Sequence, residues 1–179
     1  MKVKKITELE RISVDEFKSV DKIPLVVVLD NVRSLNNIGS VFRSSDAFRI
    51  ASIYLCGITA TPPHADIHKT ALGAEESIDW VYSETTEGAV ETLKNKGFTV
   101  CAIEQAKGSI MLDDLKVKKD VKYAIILGNE VKGVSQSVVD LCDCCIEIPQ
   151  FGTKHSLNVS VAAGIVIWEF AKQMLTDSE

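Results

Sequence analysis

Polar residues that could take part in catalysis follow two apolar runs in the last third of the sequence. Residues 124–127 end at Gly128-Asn129-Glu130, and residues 144–148 end at Pro149, before a polar loop that closes with Ser156-Leu157-Asn158. Apolar runs that stop at turn residues indicate buried strands leading into loops. The second loop passes directly into VSVAAGIVIWEFAKQML, which predicts a helix. Strand, polar loop and helix N-terminus in this order are typical of a ligand site.

A third polar segment stands nearer the start of the sequence, where Asn37-Ile38-Gly39 is followed by Arg43 and then by Phe48. The later segments supply Gly128-Asn129-Glu130 with Gly133, and Ile148-Pro149-x-x-Gly152-x-x-x-Ser156-Leu157-Asn158-Val159-Ser160. Taken in order, the three segments resemble the motifs of the SpoU-type (TrmH-like) RNA 2′-O-ribose methyltransferases of the SPOUT superfamily. The resemblance covers most of residues 31–163.

The resemblance implies an enzyme that transfers a methyl group from S-adenosyl-L-methionine (AdoMet) to the ribose 2′-hydroxyl of a nucleotide in tRNA or rRNA. Such a displacement needs an aligned acceptor oxygen and a group that manages one proton. By their positions in the motifs, the residues implied to be catalytic are Arg43, Asn37, Glu130, Ser156 and Asn158.

Arg43 matches the arginine to which the family assigns the catalytic role at the hydroxyl. Because a guanidinium holds its proton firmly, two roles stay open. Arg43 acts as a base once RNA reorganises its surroundings, or it orients the hydroxyl and phosphate while water takes the proton. Glu130 could hydrogen-bond to Arg43 and fix it. Ser156 could contact substrate or simply cap the last helix.

The resemblance also assigns the cofactor to loops at the ends of the last strands. The implied AdoMet-binding residues are Ile103, Glu104, Leu127, Gly128, Ile148, Gln150, Ser156 and Leu157. Taken singly, Gly128 could be a turn glycine, and Ile148 and Leu157 could be core residues. Basic or polar side chains near the motifs can meet RNA phosphates, and the predicted RNA-binding residues are Arg33, His64, Lys69, Lys132 and Lys154.

Length and composition limit the class of protein. The chain has 179 residues, of which 46% are hydrophobic, which suits one domain with a substantial core and excludes a disordered or fibrous protein. No apolar run is long enough to span a bilayer, so we expect a cytoplasmic protein without a membrane partner. The net charge is −5, so binding of RNA, rather than DNA, would depend on a small local positive zone.

The cysteines and histidines do not predict a metal site. Cys142, Cys144 and Cys145 form no paired C-x-x-C module and are expected to be reduced thiols in or near a strand. His64 and His68 are four residues apart, but no third ligand accompanies them.

Apolar runs alternate with helical patterns along the chain. Strands are predicted at residues 25–30, 52–56, 78–82, 98–103, 123–127 and 144–148. This order indicates an α/β fold with a mostly parallel six-stranded sheet flanked by helices. We predict a first helix that starts near Asn37, with Asn37 as its N-cap, and a short helix ending at Gly73. Residues 1–22 are predicted to be a short N-terminal helical lead-in, and residues 23–179 a single SPOUT methyltransferase domain.

The resemblance adds two features that composition does not predict. One is a deep trefoil knot at the C-terminal end, against the general rule that protein chains avoid knots. The other is a homodimer in which the first and last helices of the core pack against the partner, with Arg43 working near the partner chain.

Two other classes of protein are alternatives to a methyltransferase. A non-catalytic RNA-binding or assembly factor with the same fold would be indicated by a lost arginine or a broken cofactor loop, and the sequence has neither. A dinucleotide-binding Rossmann enzyme would need G-x-G-x-x-G after the first strand, where the sequence reads LDNVRSLNNIG.

Overall fold

The computed structural model describes residues 1–175, apart from the side chain of Ile6. The last four residues of the predicted domain, 176–179, lie outside the described residues. Within the described range, the strands are β1 (Ile23–Asp30), β2 (Ile50–Cys56), β3 (Trp80–Ser83), β4 (Phe98–Ile103), β5 (Ile110–Met111), β6 (Lys122–Leu127) and β7 (Cys144–Glu147).

These strands form one sheet in the order β3-β2-β1-β6-β4-β7-β5, and every pairing is parallel. The predicted α/β class and the parallel sheet are therefore confirmed, but the predicted number of six strands is wrong, because the described residues contain seven. The additional strand is Ile110–Met111, a two-residue strand paired with β7 at the sheet edge. Ile110, Met111 and Leu112 form an apolar run of only three residues, which is too short to predict a strand.

The helices are α1 (Val14–Ser19), α2 (Leu35–Ala47), α3 (Ala65–Ala71), α4 (Ala74–Ser77), α5 (Thr86–Asn95), α6 (Gln136–Val139) and α7 (Val159–Leu175), with two short 3₁₀ helices at Ile6–Glu8 and Leu112–Asp114. The first core helix starts earlier than predicted: Ser34 is its N-cap, and Ser34 Oγ accepts a hydrogen bond from Asn37 N at 3.3 Å. Asn37 thus lies inside the helix. The helix predicted to end at Gly73 is α3, which ends at Ala71 because Leu72 and Gly73 adopt positive φ, and the short helix α4 follows directly.

The core has two layers, one on each face of the sheet. Along β1, Leu25, Val27 and Leu29 pack towards one layer, whereas Val26 and Val28 pack towards the other. This alternation is what a strand buried on both faces requires. The first layer includes residues of α2, α3 and α7, and the second includes residues of α5 and α6.

α2 is held in place by close packing against α3. A Cβ atom on Gly39 would stand 2.2 Å from Thr70 Oγ1 and 2.3 Å from Ile67 O, so only glycine permits this approach. α7 contacts α2, β1 and β6, although it follows β7, which lies two strands away from β6. The chain therefore returns from the far side of the sheet to its centre. No helix within residues 1–175 is long and apolar enough to cross a membrane.

Candidate functional site

The three sequence segments with polar motif residues meet at the carboxyl edge of the sheet, where parallel strands lead into loops. The centre of this meeting point is Glu130, in the loop after β6. Its carboxylate accepts hydrogen bonds from Ser34 N at 2.9 Å, Arg33 N at 3.1 Å and Asn37 Nδ2 at 3.1 Å. Glu130 therefore ties the β6 loop to the start of α2, and it does so next to the positive end of the helix.

The ionised form of Glu130 is favoured. Partial burial raises its pKa, but the hydrogen bonds donated by Arg33 N, Ser34 N and Asn37 lower it more, so the pKa of Glu130 lies below its ordinary value. The hydrogen bond proposed between Glu130 and Arg43 is not formed, because the carboxylate is occupied by the α2 N-terminus.

Asn158, in the loop before α7, completes the network. Its Nδ2 donates to Asn37 Oδ1 at 3.2 Å, and its Oδ1 accepts from Ser160 N at 2.9 Å and from Ser160 Oγ at 2.6 Å. Asn158 is thus the side chain that caps α7. The suggestion that Ser156 caps this helix is wrong, since α7 begins only at Val159.

The loop after β6 has a fixed shape. Asn129 and Gly133 exchange two backbone hydrogen bonds, of 3.1 and 2.8 Å. Asn129 Oδ1 accepts from Val131 N, and Asn129 Nδ2 donates to Asn31 O at 2.7 Å. A Cβ on Gly128 would lie 2.1 Å from the carbonyl carbon of Gly133. The loop can therefore fold back onto position 128 only because that residue is glycine. Gly128 is therefore more than an ordinary turn residue.

A cavity of about 290 Å³ opens beside this loop. All of the residues predicted to bind the cofactor line it, namely Ile103, Glu104, Leu127, Gly128, Ile148, Gln150, Ser156 and Leu157. They come from three chain segments, at the ends of β4, β6 and β7, and the fold brings them to one place. Their role in binding stays a prediction.

The cavity has further lining residues that were not predicted to bind the cofactor: Asn129, Gly133 and Val159 belong to the motifs, whereas Gln105, His155 and Ala162 do not. Gln105 is the second residue after β4 and follows Glu104, which was predicted to bind the cofactor. This position in the loop was the only sign in the sequence that Gln105 could line the cavity. Its Nε2 donates to His155 O at 2.5 Å, which joins the β4 loop to the loop before α7. The Glu104 carboxylate accepts from Gln105 N and Val134 N, which fixes the opposite wall.

Arg43 does not line this cavity. It lies on α2 with an exposed side chain, and its guanidinium makes no hydrogen bond or ion pair with residues 1–175. Of the residues assigned to catalysis, Glu130 and Ser156 line the cavity, Asn37 and Asn158 belong to the hydrogen-bond network, and Arg43 stands apart.

The residues predicted to contact RNA fall into separate groups. Arg33 and Lys132 line a second cavity beside the first, and Lys132 lines both. Lys154 is exposed in the loop before α7. His64 and Lys69 belong to α3 instead: Lys69 lies on the helix, and His64 precedes it as the N-cap, with Nδ1 accepting a hydrogen bond from Asp66 N.

Residues 1–175 contain no group of three or more His, Cys, Asp or Glu side chains that could hold a metal ion. His68, four residues after His64, instead pairs with Glu75 at 2.5 Å. All five cysteines are free thiols.

The fold and site define a class of parallel α/β protein in which loops from β4, β6 and β7 enclose a cavity next to a helix N-terminus. Residues 24–168 match the profile of the SpoU rRNA Methylase family. The chain therefore belongs to that family, as the motifs predicted.

Named relatives agree with this assignment. The 23S rRNA (guanosine-2′-O-)-methyltransferase RlmB of Vibrio parahaemolyticus is 30% identical over 174 residues, which are 97% of this chain and 69% of the relative. The tRNA (guanosine(18)-2′-O)-methyltransferase of Aquifex aeolicus is 32% identical over 155 residues, which are 83% of this chain and 69% of the relative.

Solved structures share the fold. The A. aeolicus TrmH/SpoU tRNA modifying enzyme superposes with a TM-score of 0.78 at 27% identity, over 89% of this chain and 80% of that chain. An AdoMet-bound rRNA methyltransferase from Sinorhizobium meliloti gives a TM-score of 0.79 at 26% identity, over 89% of this chain and 61% of that chain.

Proposed function

We propose that the protein transfers a methyl group from AdoMet to the ribose 2′-hydroxyl of a nucleotide in tRNA or rRNA, as its relatives are named for doing. The observation that carries the proposal is the junction of Asn37, Glu130 and Asn158 beside a cavity at the carboxyl edge of the sheet. These three residues come from the three separate motifs. The cytoplasm, where tRNA and rRNA are found, is the expected site of the activity.

The cavity has a suitable lining for AdoMet. Ile103, Leu127, Ile148 and Leu157 give it apolar walls, and backbone groups of the same loops are available to bind the adenine. Glu104 and Gln150 add polar side chains for the ribose and the amino acid part. AdoMet, when bound, supplies an activated methyl group on a sulfonium. The chain's own task is to hold the acceptor hydroxyl in line and to exclude competing water.

Arg43 is proposed as the residue that acts at the 2′-hydroxyl. Its exposed side chain, free of partners within the described residues, is available to an RNA phosphate and to the hydroxyl. Glu130 and Asn158 keep α2 in place through Asn37, so they position the helix that carries Arg43. Ser156, exposed at the cavity rim, is proposed to contact the substrate.

A homodimer would bring Arg43 to the cofactor cavity. α7 is apolar on its buried face and also exposes Val161, Ile165 and Trp168, at 51%, 38% and 53%. These residues follow each other at spacings of four and three, and thus share one helix face. A helix that is apolar on both faces is usually covered on both. The Trp168 ring also packs against the ring of Phe48, which directly follows α2, with the two ring centroids 5.6 Å apart. The exposed apolar face of α7 therefore continues towards the helix that carries Arg43.

A deep trefoil knot at the C-terminal end is part of the proposal. Its support is the path of the chain, which passes from β6 beyond β4 to β7 and then returns to pack α7 against β1 and β6. The returning loop runs against the segment after β4, to which it is joined by the hydrogen bond from Gln105 to His155.

The direct test is transfer of radiolabelled methyl from AdoMet to total tRNA and, separately, to rRNA, both taken from a strain that lacks this protein. We expect label in one of the two pools with the wild-type protein and none with Arg43→Ala, whose AdoMet affinity should be unchanged. Full transfer by Arg43→Ala would remove Arg43 from the mechanism. AdoMet and RNA binding without transfer to either pool would favour a non-catalytic RNA-binding factor.

A further inference from the structure

A second cavity of about 610 Å³ lies next to the cofactor cavity along the same edge of the sheet. The loop after β6 forms the wall between them, because its residues 129 and 131–133 line both. The other walls come from the end of β1, from the loops that follow β1 and β2, and from Ser135 before α6. Any molecule in this cavity therefore lies immediately beside the site proposed for methyl transfer.

Two large apolar side chains face this cavity from loops. Ile58 is 65% exposed and Val131 is 82% exposed. Their backbones are held: Ile58 N donates to Asn31 Oδ1 at 3.1 Å, and Val131 N donates to Asn129 Oδ1 at 2.9 Å. Single exposed apolar residues need no explanation, but two that line one cavity from fixed loops provide apolar surface for a flat ligand.

The cavity also has two cations, Arg33 and Lys132. Both side chains are exposed, and neither pairs with an acidic group within residues 1–175. The nearby Glu130 carboxylate accepts from the backbone N of Arg33 and leaves the guanidinium free. Unpaired Arg and Lys side chains beside an apolar surface suit a ligand that is both anionic and aromatic, which is the chemistry of a nucleotide.

Asp30 indicates which part of a nucleotide enters. It lines the cavity but is only 4% exposed, and its Oδ1 accepts from Thr86 Oγ1 at 2.5 Å and from Asn31 Nδ2 at 2.8 Å. A carboxylate there would repel a phosphate, so the phosphate belongs with Arg33 and Lys132 and the base belongs inside.

We infer that this cavity is a subsite for a nucleotide of the substrate RNA next to the methylated ribose, with its base against Ile58 and Val131 and its phosphate at Arg33 and Lys132. The inference rests on the proposed function and adds a pair of residues that contact a base of the RNA as well as its phosphate. Phosphate contacts position a nucleic acid, whereas base contacts can distinguish sequences.

The test measures binding of fluorescently labelled bulk tRNA and of rRNA transcripts, without AdoMet, at several salt concentrations. The variants are Ile58→Ser, Ile58→Phe and Arg33→Ala, because Ile58 and Arg33 line only the second cavity. Leu141→Ser and Lys18→Ala are the matched controls, since Leu141 is 43% exposed before β7, at the opposite edge, and Lys18 is exposed on α1.

We expect Ile58→Ser to raise the Kd for the bound RNA about fivefold without altering its salt dependence, because an apolar contact releases no counterions. Ile58→Phe should lower the Kd, because an aromatic ring stacks on a base. Arg33→Ala should reduce the slope of log K against log salt by about 1. The two controls should bind as the wild type does.

Unchanged RNA binding by both Ile58 variants would overturn the subsite, and so would a wild-type protein that binds neither RNA. Since binding is measured without AdoMet, this result is separate from the methyl-transfer assay. Transfer by the wild type together with unchanged Ile58 variants would leave the proposed function standing and refute the subsite alone.

Discussion

Asn37 and Asn158 are 121 positions apart in the sequence, and their side chains are joined by a hydrogen bond of 3.2 Å. The same Asn37 amide donates to Glu130 at 3.1 Å, so one side chain links the start of α2, the loop after β6 and the start of α7. The proposed catalytic residue on α2 and the proposed cofactor loops thereby share one rigid junction. Changes at this junction should affect stability and catalysis together, and suitable variants can separate the two effects.

Asn158 performs two tasks that substitution can divide. Asn158→Ala removes the cap of α7 and should lower the free energy of unfolding by about 1 kcal/mol. Asn158→Asp keeps an oxygen for Ser160 N but loses the donor to Asn37. We expect Asn158→Asp to unfold in urea closer to the wild type than Asn158→Ala does, while both lose methyl transfer. Wild-type transfer by Asn158→Asp would show that the link to Asn37 is dispensable.

Glu130 should make stability depend on pH. Because the pKa of Glu130 is lowered in the folded protein, its stabilising effect is present above the unfolded pKa and is lost as the pH falls through the folded pKa. Glu130→Gln should therefore be less stable than the wild type at neutral pH, and the difference should shrink as the pH falls below about 4. Urea unfolding across this range measures it.

The control for Glu130 is Glu84→Gln, which removes an exposed carboxylate elsewhere on the surface. A stability difference between Glu130→Gln and wild type that stays constant with pH would mean that the carboxylate charge is not what the α2 N-terminus binds.

Two glycines offer a matched pair for the cofactor loop. In Gly128→Ala the new Cβ would meet the backbone of Gly133 at 2.1 Å, whereas a Cβ on Gly152 would meet nothing within 4 Å. We expect Gly128→Ala to cost about 1–3 kcal/mol of stability and to weaken AdoMet binding at least tenfold, because the cavity wall must move. Gly152→Ala should be close to wild type in both. Calorimetric titration with AdoMet and urea unfolding are the measurements, and equal AdoMet affinity in the two variants would contradict the assignment of the cavity.

Continuous patterns in the sequence predicted most of the fold. β4 has its predicted bounds, Phe98–Ile103, and α7 covers the predicted segment, because long runs of buried residues mark such elements directly. The two-residue strand Ile110–Met111 was missed, since it is exposed and is defined only by pairing with β7. A strand this short is formed only by its pairing with β7, and the sequence has no pattern that would predict this pairing.

The residues that cap the helices were harder to predict than the positions of the helices in the sequence. Ser34 and Asn158 cap the two helices for which Asn37 and Ser156 had been considered. Each helix start offers several short polar residues, and local propensity hardly distinguishes them. In both places the tertiary structure decides: Asn37 is engaged by Glu130 and Asn158, and neither partner is near it in the sequence.

The lining of the cavity, by contrast, was predictable from the motif resemblance, although Gln105 and His155 join it only through a contact between distant loops.

The position of Arg43 outside the cavity leads to a prediction about subunit exchange. If Arg43 of the partner subunit completes each site, a chain lacking Arg43 and a chain with a blocked cavity should restore one another. Leu157→Trp is a suitable blocking variant, because Leu157 lines the cavity and is 38% exposed. Arg43→Ala and Leu157→Trp should each be inactive alone, the first with AdoMet binding intact.

When the two variants are refolded together in equal amounts, half of the dimers should be mixed, and each mixed dimer should have one complete site. Methyl transfer should then recover to about a quarter of the wild-type rate. If Arg43 served the cavity of its own chain, a mixed dimer would contain one site without arginine and one blocked site, and no activity would return. Recovery thus tests the homodimer and the assignment of Arg43 together, whereas an inactive mixture with a confirmed dimer mass would locate the catalytic arginine within a single chain.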